Sequence, residues 1–228
     1  VIFIPATEIL RWTSTFVSIG VKFVLAAYFF HKYRQKKMGV PLVWGAGFLF
    51  FGLSQVPILV MRYFKDPNTN MGFALLGAFL AALSLALIYY GSSLIYFKKG
   101  SFMREKLSII LFSIMGGVTL LFPIFMTSQE VLRRIFMVVA TGFIFPVLFL
   151  VSVVFFVIWM RLEPDNPRKP NILLVSFGWF TYSIVNGVGS FSVGRSFEWV
   201  FYVLATIAFL ILLYGMILGK ATNPENTH

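Results

Sequence analysis

The sequence contains no cysteine, only two histidines and only eight acidic residues, and charged residues fill just 12% of its 228 positions. Without cysteine there is neither a disulfide scaffold nor a zinc-thiolate site. With two histidines, His31 and His228, a single chain forms neither a bis-histidine haem nor a His-rich metal centre. An ordinary soluble domain carries about a quarter charged residues, so that class is excluded as well. What the chain has is apolar surface: 59% apolar residue types, 18% aromatics and a mean hydropathy of +0.87. Such a composition excludes a disordered tail protein and leaves an integral membrane protein.

A helix crossing the roughly 30 Å hydrocarbon layer needs about 20 mostly apolar residues, and open strands cannot satisfy their backbone groups in lipid. Seven runs of that kind stand between charged or Pro/Asn/Asp-rich breaks: Leu10 to His31, Pro41 to Tyr63, Met71 to Tyr96, Leu107 to Thr127, Ile135 to Met160, Asn171 to Phe191 and Phe197 to Leu218. The connectors, such as Lys32 to Lys37, Asp66-Pro67-Asn68, Lys98 to Lys106 and Glu163-Pro164-Asp165-Asn166-Pro167, are too short to fold alone. Asn-Pro and Asp-Pro pairs are read as helix stops. The expected fold is therefore one all-α domain over residues 1–228, a seven-transmembrane helix bundle.

The net charge of +11 would suggest nucleic acid in a soluble protein, but its distribution argues against that partner. The first, third and fifth connectors and the C-terminal segment together hold twelve Lys and Arg; the opposite side holds six, Arg11, Arg62, Lys65, Arg133, Arg134 and Arg195. The positive-inside rule then predicts an N-terminus outside, a C-terminus in the cytoplasm and a cell-membrane location, with the basic connectors facing anionic lipid. A cleaved signal is disfavoured, because the basic residues follow the first apolar run and the run exceeds a signal's apolar region. The ten residues from Gly219 to His228 carry no output domain.

Aligning Tyr90-Gly91 with Tyr214-Gly215 brings Leu85 to Ile88 onto Phe209 to Leu212, an offset of 124; Gln55 meets Asn186 at an offset of 131. These matches are compatible with a three-plus-one-plus-three parallel repeat of the kind some transporters show. In helix count, orientation and compact connectors the whole chain resembles the seven-helix sensor regions of prokaryotic histidine kinases and, more distantly, opsin and SWEET-like folds. The resemblance implies a ligand-sensing bundle with a cytoplasmic signalling partner. It carries no retinal cofactor over to this chain, since Phe197 to Leu218 has no lysine for a Schiff base; Ser54-Gln55-Val56-Pro57 lacks the Pro-Gln pair of SWEET-like carriers, and no kinase half is expected from these 228 residues.

Lys22 is the most informative residue, because a cation near the middle of a membrane helix costs about 2.5–3.5 kcal/mol on insertion scales and marks a functional site by default. Arg11, Thr15, Ser18 and Lys22 follow at spacings of 4, 3 and 4, one polar stripe on a helix. Two readings stand: the ammonium is buried in the bundle, or it snorkels to the inner headgroups. The second is strained by the roughly 15 Å of helix between Lys22 and Lys32. All eight acids are read as lying in connectors or termini, so an anionic ligand or loss of the proton would have to relieve a buried charge. Gln55 and Asn186 either join helices through hydrogen bonds or line a pocket. Tyr90 and Tyr214, like Tyr89, Tyr182 and Tyr202, either reach the same pocket or anchor at the interface. Ala74, Ala78, Ala82 and Ala86, with Gly77 and Ala81 beside them, predict a closely packed, central third helix. Pro57, Pro123 and Pro146 sit inside spans.

No phosphate loop, zinc-protease motif or nucleophile elbow occurs, so an enzyme is not expected. The sequence favours a sensor or receptor-like module whose small or lipid-like ligand, anionic where it relieves the lysine charge, contacts Lys22, Ser18, Thr15, Gln55, Tyr90, Asn186 and Tyr214. The alternatives are a small-solute carrier on the repeat, or an accessory subunit beside other membrane proteins.

Overall fold

The computed structural model describes residues 6–60, 67–121, 140–192 and 197–218, and every regular element among them is helical. The elements are α1 (Ala6–Lys36), α2 (Gly39–Val60), α3 (Pro67–Tyr96), the single turn α4 (Phe102–Glu105), α5 (Leu107–Leu121), α6 (Phe145–Arg161), α7 (Lys169–Gly189) and α8 (Glu198–Leu213). A π-helical turn, Ala140–Ile144, leads into α6, and another, Tyr214–Leu218, extends α8. Six helices are long and apolar enough to cross a membrane; the described part of α5 is shorter. The chain is a multi-pass helical membrane protein.

Local chemistry sets the boundaries. α1 runs beyond the expected Leu10 to His31, with Glu8 in its first turn and Arg34 and Lys36 in its last, where each charge opposes the helix dipole. Its end is capped by Lys37, whose φ of 53° turns the chain while its N–H donates to Tyr33 O at 2.7 Å. Pro67, read from the sequence as part of a helix stop, instead opens α3, where its missing N–H costs nothing. α4 was not expected; Ser101 Oγ accepts from Arg104 N at 3.3 Å, and Gly100, at φ 85°, donates its N–H to Glu105. Pro146 lies inside the apolar span Gly142–Arg161, where a π-helical turn gives way to the α-helix that starts at Phe145. Pro57 does lie inside α2. Pro123 and the basic residues Arg62, Lys65, Arg133, Arg134, Arg195 and Lys220 lie outside the described residues.

The six long helices form a closed ring in the order α1, α2, α3, α6, α7, α8, with α5 packed against α3. Pairwise contacts fix their directions. Phe23 packs over Gly52 and Phe30 over Gly45, so α1 and α2 are antiparallel. Antiparallel too are α2 and α3, through Gly47 with Ile88 and Trp44 with Gly91, and α7 and α8, through Gly178 with Leu212 and Gly189 with Phe201. Ser152 and Ser176 exchange hydroxyl-to-carbonyl bonds of 2.9 Å between α6 and α7. α2 and α7, by contrast, run the same way, since Phe48 stacks on Trp179 at 5.9 Å and Phe51 meets Tyr182 at 5.6 Å. The C-terminal ends of α3 and α6 also coincide: the Arg161 guanidinium sits 4.9 Å over the Tyr96 ring.

The ring is filled by aromatics. Trp44, Phe48 and Phe51 of α2 face Trp179 and Tyr182 of α7, with Phe155 of α6 and Phe209 of α8 at the flanks, all nearly or fully buried. Large rings fill the centre, and small residues let neighbouring backbones close in around them. On α3 the alanine stripe serves two ends: Ala82 and Ala86 are buried in packing, whereas Ala74 and Ala78 border a cavity.

Candidate functional site

Of the polar stripe expected on the first helix, Thr15, Ser18 and Lys22 are buried and Arg11 is half-buried, and its lower end is the chemical centre of the bundle. Lys22 has no exposed surface. Its ammonium donates to Ser18 Oγ at 2.7 Å, one turn back on α1, and to Gln55 Oε1 at 2.8 Å on α2. Three rings complete the shell, with the nitrogen 4.1 Å from the Phe209 centroid, 4.9 Å from Phe51 and 6.0 Å from Tyr182. Snorkelling is therefore not what this side chain does. Hydrogen bonds to a charged group are worth roughly 1.5–3 kcal/mol each and a desolvated cation–π contact about 2 kcal/mol, enough together to offset the insertion cost of the cation without a carboxylate.

The upper end of the stripe is a second polar cluster. Thr15 donates to Arg11 O at 2.7 Å on its own helix, and Thr206 of α8 donates to Ser14 O at 2.8 Å. Arg11 Nη2 lies 3.1 Å from Glu198 Oε1, its guanidinium 5.1 Å over the Tyr202 ring, and Tyr202 donates to the same carboxylate at 3.2 Å. This corrects the reading that all acids lie in connectors or termini. Glu198 is the first residue of α8 and only 9% exposed. These contacts align α1 and α8 in parallel.

A cavity of about 130 Å³ lies on the other side of Gln55, between α2, α3, α5, α7 and the π-helical turn that leads into α6. Its walls are mainly apolar, from Phe51, Leu75, Met115, Val118 and the Ala74, Ala78, Ala81 row, and its polar lining comes from Ser54, Gln55, Thr119, Tyr182 and Asn186. A mostly apolar hollow with a few convergent polar groups is the form a small-molecule site takes. Lys22 is not on its wall; Gln55 stands between. Asn186 turns its amide NH2 toward Tyr182, donating to the backbone carbonyl at 2.8 Å and hydrogen-bonding the Tyr182 side chain, and no partner of its side-chain oxygen occurs among the described residues.

The structure thus brings together Lys22, Ser18 and Gln55 as one hydrogen-bonded group and joins Gln55 to Asn186 through the cavity. Thr15 is buried one turn beyond Ser18, within the Arg11 cluster. Tyr90 and Tyr214 line neither the cavity nor the lysine cage, and Tyr214 is 53% exposed on the outer surface. Phe51 and Phe209, which hold the ammonium, gave no signal among 28 phenylalanines. No group of His, Cys, Asp and Glu that could hold a metal ion occurs among the described residues. Comparison of the chain with protein-family models, curated proteins and solved structures finds no match.

Proposed function

We propose that the chain is a seven-crossing sensor-like module of the cell membrane that binds a small or lipid-like molecule inside its bundle and performs no chemistry on it. The observation that carries this reading is the cavity between α2, α3, α5, α7 and the π-helical turn before α6, apolar over most of its wall and lined by the amides of Gln55 and Asn186.

The crossing number is supported by the ends of α3 and α6. Because Tyr96 and Arg161 close those two helices side by side, the start of α6 lies at the far end from Tyr96. A return crossing between α3 and α6 is then expected, and α5, apolar and packed against α3, supports it. An amino end outside is supported by the basic residues gathered at the other end, Lys36, Lys98, Lys99, Lys106, Arg161 and Lys169 among them. That face would meet anionic lipid or a cytoplasmic signalling partner.

Native mass spectrometry of the protein purified from membranes tests the binding reading. The expected spectrum carries a retained small-molecule adduct that disappears in Ala78→Trp, whose ring fills the cavity. An adduct unaffected by that change, or none in either protein, contradicts it.

A carrier reading has its own support. Gly47 and Gly178, Phe48 and Trp179, Phe51 and Tyr182, and Gln55 and Asn186 are each 131 positions apart; Ile88 and Leu212, and Gly91 and Gly215, are 124 apart. Gly47 packs on Ile88 as Gly178 packs on Leu212, and Gly91 on Trp44 as Gly215 on Val175. The ring order and helix directions accord with two parallel three-helix halves meeting where α2 faces α7. Such halves rock against each other in transporters. Uptake of the adduct molecule into proteoliposomes, absent with sensors, separates the two readings.

A further inference from the structure

Gln55 and Asn186 occupy matching places in the two halves, yet their amides are held in opposite senses. The ammonium of Lys22 offers only donors, so Gln55 presents its oxygen to the lysine at 2.8 Å, and its NH2 is the end without a partner among the described residues. The Tyr182 carbonyl only accepts, so Asn186 presents its NH2 there at 2.8 Å, and its oxygen is the free end. Neither amide can be turned round without placing two donors or two acceptors face to face. Both line the same cavity, alongside Phe51 and Tyr182.

We infer that this cavity selects a small neutral molecule bearing a hydrogen-bond acceptor beside a donor, as in a carboxamide, its acceptor taken by Gln55 and its donor by Asn186, with Lys22 as a positioning residue that fixes Gln55. The inference rests on the binding reading of the cavity and deepens it. Neutrality follows from the wall, which holds no charged side chain among the described residues. Size follows from the volume: about 130 Å³ is near the roughly 150 Å³ of an apolar cavity that accepts benzene. Lys22 strengthens the donor it does not itself supply, because an amide whose oxygen is bound to a cation offers a more polarised N–H.

The test is ligand-observed NMR on the protein in nanodiscs with benzamide, toluene and benzoate, for wild type, Lys22→Met and Asn186→Leu. Benzamide is expected to bind at least about fivefold more tightly than toluene, one net hydrogen bond or more, and benzoate more weakly than benzamide. In Lys22→Met, toluene binding should persist while the benzamide advantage shrinks, because Gln55 is released to turn. A collapsed fold would lose both probes. Asn186→Leu should also keep toluene and lose the benzamide advantage, and it decides the matter should Lys22→Met fail to fold. Equal affinity of benzamide and toluene in wild type overturns the ligand class, as does tighter binding of benzoate. An undiminished advantage in Lys22→Met overturns the positioning role. Absence of binding by all three probes, toluene included, removes the binding reading itself and this inference with it.

Discussion

Arg11, near the start of the first helix, and Glu198, at the start of the last, meet at 3.1 Å, closing the ring of helices at the end opposite the basic connectors. The side chains are 28% and 11% exposed, so the pair is neither a solvated surface bridge nor a fully buried one. Glu198→Gln removes the charge that Arg11 faces and keeps the shape. It should lower stability by about 1–3 kcal/mol, between the values for exposed and buried pairs. Thermal unfolding of the purified protein checks this, and Arg11→Met combined with Glu198→Gln should cost less than the two single losses added together.

Lys22 and Gln55 predict an asymmetry. Lys22→Met replaces a buried cation with an apolar chain of similar length and leaves folding intact. Gln55→Leu leaves the ammonium with one hydroxyl and three rings, so it should destabilise by more, on the order of 3 kcal/mol. Adding Lys22→Met to Gln55→Leu should restore most of that loss. Thermal midpoints of the three variants measure the order; a Gln55→Leu protein as stable as wild type would mean that the amide does not support the cation.

How much of this was legible beforehand depends on the kind of signal. The stripe Arg11, Thr15, Ser18, Lys22 was readable because polar residues are rare in these spans and a 3.6-residue period puts them on one face. Gln55 and Asn186 were readable for the same reason. Phe51 and Phe209 were not, since a ring beside an ammonium and a ring in plain packing look alike in a phenylalanine-rich chain. Tyr214 shared a local match with Tyr90 but faces outward, because a repeat in sequence conserves register and not the partner each face meets. Glu198 reads as a connector residue in the sequence, because one carboxylate beside an apolar run gives no hint of an arginine far away in the chain.

Glycine positions separate packing from mere composition. A Cβ at Gly91 would stand 2.5 Å from Trp44 Cδ1 and 2.6 Å from its Nε1, and Trp44 is 1% exposed within the aromatic core, with little room to move. Gly91→Ala should therefore cost about 1–3 kcal/mol through overpacking. Gly117 in α5 has nothing within 4 Å of that point, and Gly117→Ala should be neutral or stabilising by up to about 1 kcal/mol, as helix propensity dictates. Unfolding midpoints of the two variants should move in opposite directions or differ by several degrees.

The cysteine-free sequence makes the threading directly measurable, since any cysteine introduced is the sole thiol in the chain. Cysteines at Glu8, Ser101, Gln129 and Asp165 are labelled in intact cells with a membrane-impermeant maleimide, before and after permeabilisation. The seven-crossing bundle predicts that Glu8→Cys and Gln129→Cys react from outside, and that Ser101→Cys and Asp165→Cys react only once the membrane is opened. Labelling of Ser101→Cys and Gln129→Cys from the same side would show that the segment between them does not cross, and would contradict the account.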